Sequence, residues 1–244
     1  MKFSKKNTHK LQVLLEMVGN SVYYGPFTGL KIPDSLIPHL TIPEVLGLYE
    51  SCLFNVWSKL LSKNIKNILV VGGHYGYYSA GLSYFYQPDQ VYIFETDITC
   101  HHLILDWIEP NNLNNFHIYE SATEQIFKGW ENEVDLIICD CEGEEMILLD
   151  PIQFPWQQQT KIVIELHPFY RENLTGTISK KFSKTHHLEL IYDDFEEDKK
   201  IQQVLSGLDL DNLNYIKHPK HRWIIKEGKK IYTSGIFMFL EPKL

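Results

Sequence analysis

"NILVVGGHYGYYSAGL", residues 67–82, decides how the rest of this 244-residue chain is read. Ile68 to Val71 form the short apolar run of a strand buried on both faces. Gly72, Gly73 and Gly76 then make a turn, and small residues open a helix. No lysine follows the last glycine, so the Gly-Lys-Ser/Thr element of a phosphate-gripping loop is missing. Absent side chains let a backbone approach a ligand, and amides at a helix start favour a negative group. The plainer account of such a turn is tight strand-to-helix packing.

Outward from this stretch, strands and helices alternate. Strands are expected at 67–71, 90–94, 116–120, 134–139, 161–166 and 188–192. Helices are expected at 77–86, 98–108, 122–129, 143–149 and 174–183. Apolar strands separated by helix-length segments imply an α/β fold with a doubly wound, Rossmann-like, mostly parallel sheet. "HRWIIKEGKKIYTSGIFMFLEP", residues 221–242, reads as a closing hairpin that adds an antiparallel strand. Upstream, residues 8–19 suggest a short helix and "SVYYGPFTGLKIP", residues 21–33, a small hairpin. "TIPEVLGLYESCLFNVWSKLLSKN", residues 41–64, reads as one helix capped by Thr41, with Pro43 in its first turn. The expected organisation is an N-terminal helical and hairpin cap, residues 1–64, on a Rossmann-like domain, residues 65–244.

Composition narrows the partners. Hydrophobic residues at 44% can fill a large core, and the net charge of −8 lacks the basic stripe of a nucleic-acid binder. No apolar run approaches the length of a membrane span, and the basic N-terminus lacks a following signal-like apolar region. Cys139 and Cys141 alternate within an apolar run and read as reduced packing residues of a cytoplasmic protein. "DDFEEDKK", residues 193–200, reads as a solvated loop and helix start.

The strand ends carry the chemistry. Glu95 closes "VYIFETD" 19 residues after Gly76, the spacing of an acid that accepts hydrogen bonds from ribose hydroxyls. Asp140 and Glu142 are two residues apart, as are Glu165 and His167, so each pair shares a face in extended chain. Such groups can deprotonate a hydroxyl or bind a divalent metal. Plainer roles are available: Glu142 as a helix cap, Glu165 as a backbone acceptor, and His186 and His187 as groups at the opposite end of the sheet. The His101–His102 pair suits packing, and Tyr23, Tyr24, Phe27 and Tyr49 suit either core or a cofactor cover.

Taken together, "GGHYGYYS", "FETD", "DLIICDCEGEEMILLDP" and "IVIELHP" resemble class I S-adenosylmethionine-dependent methyltransferases, and among them the FkbM-like branch. The resemblance spans residues 66–195, and "GPFTGL" with "PEVLGLYESCL" extends it towards residue 25. It implies S-adenosylmethionine as cofactor, with Gly72, Gly73, His74, Tyr75 and Gly76 at its amino-acid end. Glu95 and Thr96 would meet its ribose, and Asp97 or Ser121–Ala122 its adenine. Val70 and the bulky His74 and Tyr75 depart from the family pattern, which implies either weaker cofactor affinity or an amino group held by Asp140 instead. The implied activity is methyl transfer to an oxygen of a small-molecule or sugar-like acceptor, with His167, Glu165 and Asp140 on the acceptor side. His167 is the expected base and no metal is expected, although the same three groups make a plausible ligand set. A degenerate binding protein of the same fold and a nicotinamide-dependent oxidoreductase are the rival readings.

Overall fold

The computed structural model describes residues 5–167, 173–193, 196–210, 223–226, 229–232 and 235–243. The chain opens with α1 (Lys5–Met17), a loop closed by a Ser21–Lys31 bridge, α2 (Ile42–Leu46) and α3 (Phe54–Leu60). Then come β1 (Asn67–Val71), α4 (Tyr77–Tyr86), β2 (Gln90–Phe94), α5 (Ile98–Asp106), α6 (Ile108–Asn111) and β3 (Phe116–Tyr119). Next follow α7 (Glu124–Lys128), β4 (Leu136–Cys139), α8 (Glu145–Leu148), β5 (Lys161–Glu165), α9 (Leu174–Phe182), β6 (His186–Tyr192) and α10 (Glu196–Gly207). β7 (Trp223–Lys226), β8 (Lys229–Tyr232) and β9 (Ile236–Pro242) complete the series. Pro168, the expected stop of β5, lies outside the described residues.

Seven strands form one sheet in the order β3-β2-β1-β4-β5-β9-β6. β1 to β5 pair in parallel, and β9 runs antiparallel to β5 and β6 on either side of it. The architecture is α/β and mostly parallel. β1 lies between β2 and β4, so strand order reverses there and the loops beyond the two central strands diverge. The closing segment differs from a simple hairpin: β7 and β8 pair with each other, while β9 enters the main sheet rather than its edge.

Both faces of β1 are covered. Ile68 and Val70 pack with Val91, Leu136, Val163 and Phe239 on one face, joined by Leu14, Val45 and Trp57 of the N-terminal segment. Leu69 and Val71 pack on the other with Phe94, Ile137, Ile164, Leu174 and Met238. Each such buried side chain contributes about 1.5–3 kcal/mol relative to exposure, so two-sided burial holds the strand. The N-terminal segment thus shares a core with the sheet. Within the acidic run at 193–200 a helix starts at Glu196, as expected, and beyond the run it buries Ile201 and Leu205 completely. Among the described residues no helix is long and apolar enough to cross a membrane.

The expected single helix over residues 41–64 is broken. α2 stops at Gly47 (φ 70°), and Glu50 (φ 48°) turns the chain again before α3. A Cβ on Gly47 would stand 1.9 Å from the Tyr24 carbonyl oxygen, so the upstream loop fits only against glycine. Tyr23 N and Tyr24 N donate to the Val45 and Leu46 carbonyls (both 3.1 Å), completing bonds the helix end leaves open. Apolar spacing is the same with or without this break, which is why periodicity misses it.

Glu44 fastens the segment to the glycine turn. It is buried, accepts from Thr41 N (2.6 Å) and Thr41 Oγ1 (2.8 Å), and receives a hydrogen bond from the Tyr75 hydroxyl. Burial pushes its carboxyl above the ordinary 4.5, against the lowering effect of these donors. Because the folded value is raised, this group's contribution to stability is full below pH 4.5 and is lost as pH rises through the folded value. Glu44→Gln removes the titration, so its unfolding free energy should fall less than wild type between pH 5 and 8. Glu44→Ala should cost about 1–3 kcal/mol by stranding Tyr75 and Thr41, as read in urea melts.

Candidate active site

A cleft of about 370 Å³ opens where the β1 and β4 loops part. Of the residues expected at the cofactor, Gly72, His74, Glu95, Thr96, Ala122 and Asp140 line it. Glu142, a strand-end candidate from its spacing to Asp140, also lines it, as do Glu120, Cys141 and Glu144, which were not anticipated as cleft residues. Their positions one to five residues past the ends of β3 and β4 were the available signal. Cys141 is only half-buried but packs against the core, with its Sγ 3.5 Å from that of fully buried Cys139.

Other expected cofactor residues have different neighbours. Tyr75 turns from the cleft to Glu44, and its carbonyl accepts from Trp107 Nε1 at 2.9 Å. A Cβ on Gly73 would meet Ile93 at 2.5 Å, and one on Gly76 would meet Trp107 at 3.0 Å; both glycines serve close packing. Asp97 caps α5, accepting from Thr99 N at 2.9 Å. Ser121 is exposed beside Ala122 and does not line the cleft.

The amides of the turn are committed within the protein. Gly72 N and Gly73 N donate to the Phe94 carbonyl (2.9 and 3.0 Å), and Gly76 N donates to the Gly73 carbonyl (2.9 Å). His74 N, at φ 44°, donates to Glu95 Oε2 (2.6 Å), and Asp97 N to Glu95 Oε1 (2.7 Å). The turn is therefore no phosphate cradle, which requires amides aimed at the ligand. These glycine amides do not face a cofactor carboxylate either. Glu95 is 9% exposed, and each carboxylate oxygen retains a second lone pair for a ligand hydroxyl. His101 Nε2 lies 2.8 Å from the Glu95 carbonyl and packs there.

Asp140 belongs both to the cleft and to a cluster behind it. His167 is 1% exposed, with Nδ1 2.7 Å from Oε1 of fully buried Glu145. Its Nε2 stands 3.5 Å from Asp140 Oδ1, 3.9 Å from Glu165 Oε1 and 4.0 Å from Glu142 Oε2. Burial alone would lower the histidine's pKa, but Glu145, Glu165 and Asp140 outweigh it and the net direction is upward. Asp140, Glu165 and His167 thus converge as their spacing implied. Glu145 was missed, because "EGEEM" offers three glutamates and only the fold selects the one that reaches His167. Glu50 approaches from the N-terminal segment, holding the Tyr78 hydroxyl; burial, then the charges of Glu165 and Asp140, push its carboxyl well up. His186 is buried at the far end, with Nε2 2.9 Å from the Thr160 carbonyl, and His187 is exposed.

No family model and no curated protein matches the chain. Solved structures match it at TM-scores below 0.5. An rRNA methylase from Streptococcus thermophilus has a TM-score of 0.49 at 9% identity, over 79% of this chain and 96% of that one. An O-methyltransferase from Bacillus cereus in complex with SAH has 0.46 at 11%, over 98% and 92%. Spermidine synthase from Thermotoga maritima has 0.47 at 14%, over 77% and 57%. At these TM-scores and identities the chemistry rests on the site's own geometry.

Gly72 (φ 88°) is the narrowest point: a Cβ there would fall 1.7 Å from the Asp140 carbonyl oxygen. Gly72→Ala should cost on the order of 3 kcal/mol or more in urea unfolding, from backbone strain and forced separation of the loops. Gly207→Ala, where a Cβ meets nothing within 4 Å, should stay within about 0.5 kcal/mol of wild type.

Proposed function

We propose that the chain is an S-adenosylmethionine-dependent methyltransferase whose cofactor occupies the cleft between the β1 and β4 loops. The observation that carries this is a nucleoside-sized cleft with an acid at the tip of β2 and a glycine turn whose amides face inward. A dinucleotide needs its pyrophosphate held at such a turn, and this turn offers Gly72, Gly73, His74 and Gly76 amides already bonded within the protein. A nucleoside with an amino-acid tail needs no such cradle. Glu95 would hold the ribose, Ala122 and Glu120 would flank the base, and Asp140 would face the amino group. When bound, the cofactor supplies an electrophilic methyl group on sulfur. The protein aligns the acceptor in line with it and withdraws the acceptor's proton. Asp140 joins the cleft to the His167 cluster, so that cluster is where an acceptor is activated. Within this class, the sequence elements favour the FkbM-like branch and a hydroxyl of a small-molecule or sugar-like acceptor.

Calorimetry with S-adenosylhomocysteine tests the assignment without an acceptor. Wild type should bind one molecule per chain, and NADH should not compete. Glu95→Ala should weaken binding by roughly tenfold or more, since a charge-assisted hydrogen bond contributes about 1.5–3 kcal/mol. Ala122→Trp should abolish binding by filling the cleft while the circular dichroism spectrum is kept. Tight NADH binding, or S-adenosylhomocysteine affinity unchanged in both variants, would refute the assignment.

A further inference from the structure

We propose that Asp140, Glu165 and His167 form a binding site for one divalent cation, of which manganese best suits a set of one imidazole and two carboxylates. The site is defined by this chain alone; what the cation does for an acceptor rests on the methyltransferase reading.

The ligand atoms of the three residues all lie within 4.8 Å of one another. Separations of 3.5 and 3.9 Å from His167 Nε2 to Asp140 and Glu165 exceed ordinary hydrogen-bond length, about 2.7–3.2 Å. They suit a shared ion instead. With bonds of about 2.1 Å, neighbouring ligand atoms stand about 3.0 Å apart and opposite ones about 4.2 Å. Strand register explains the placement: Cys139 pairs with Ile164, so the next residues, Asp140 and Glu165, emerge side by side, and His167 follows two positions on.

Glu145 supplies a second, independent observation. Its Oε1 engages His167 Nδ1, the outer-shell carboxylate that a metal-bound imidazole characteristically has. Donation from Nδ1 sets the tautomer that turns the Nε2 lone pair towards Asp140 and Glu165. Glu145 is fully buried, and its Oε2 has no hydrogen-bond partner among the described residues. A buried carboxylate of that kind is costly unless positive charge lies close by. An imidazole bound to a cation brings that charge to Glu145 through the ring. Asp140 and Glu142 line the cleft with side chains 38% and 65% exposed, while the side chains of Glu165 and His167 behind them are 12% and 2% exposed. Glu142, 4.0 Å from Nε2, is within reach as a further ligand at the mouth. Glu50 stands behind the site, holding the Tyr78 hydroxyl. Under the methyltransferase reading, the cation binds an acceptor hydroxyl and lowers its pKa, and a neighbouring carboxylate takes the proton to leave the oxygen nucleophilic.

Manganese titration of the full chain, followed by the paramagnetic resonance of free Mn²⁺, should show one ion taken up per chain. Glu165→Gln should weaken uptake by at least tenfold while S-adenosylhomocysteine binding is kept. Glu145→Gln should weaken it by roughly 10–100-fold through loss of the outer-shell charge. Glu124→Gln, on exposed α7, should change nothing. No uptake by wild type, or equal uptake by wild type and an Asp140→Asn/Glu165→Gln double variant, overturns the site. So does nitrogen NMR showing His167 as an imidazolium unperturbed by Mn²⁺, because a proton then holds the position. S-adenosylhomocysteine binding without manganese uptake removes the cation and leaves the cofactor assignment. The converse result removes the cofactor assignment and leaves the cation.

Discussion

The approach of Gly72 to the Asp140 carbonyl governs the molecule. β1 and β4 are the central strands, hydrogen-bonded to their ends, with Asp140 N on the Val71 carbonyl at 2.9 Å. Beyond that bond the two loops must separate, and they do so at a point with no room for a Cβ. Bringing them this close sets the cleft on one side and the carboxylate–histidine cluster on the other, with Asp140 common to both. The positive φ of His74 and of Glu142 belongs to the same arrangement, each just past one of the two strands. Strain of this kind persists only where surrounding packing over-determines it. Here the two-sided core of β1 does so.

The N-terminal segment is part of that support. Glu44 and Glu50 are both buried, and both hold hydroxyls from "HYGYY": Glu44 takes Tyr75, and Glu50 takes Tyr78. The aromatic residues after the glycine turn therefore anchor the segment rather than obstruct the cleft. Phe27 packs edge-on to Tyr77 and Tyr78 in the same region. Sheet and segment meet through a buried polar layer, and geometry at Glu50 is coupled to charge at Glu165 and Asp140.

Much of the sheet was legible because β1, β2, β4 and β5 are uninterrupted apolar runs, and such runs need cover on both faces. Glu95, Asp140, Glu165 and His167 were legible for a related reason, since each lies at or just past a strand end, where open sheets bind ligands. What escaped depends on tertiary contact. Tyr75 lies next to His74 between the glycines of the turn, and only the position of Glu44 turns it away. The break at Gly47 is imposed by the Tyr24 backbone, a partner 23 positions upstream that periodicity ignores. Glu145 reaches His167 across 22 residues. The seating of β9 was equally hidden, because composition identifies a strand but not its neighbours.

That seating bears on how the protein is made. β5 and β6 follow each other along the chain, yet the last strand lies between them. During synthesis from the N-terminus, every other strand of the sheet leaves the ribosome before Ile236–Pro242. Until then β5 and β6 each face an empty strand position, and Phe237, Met238, Phe239 and Leu240, all buried at the end, are missing from both cores. Open apolar edges are templates for pairing with other chains. β9 is thus the keystone of the arch, set last. A nascent chain stalled short of it would be the most aggregation-prone form this sequence can take.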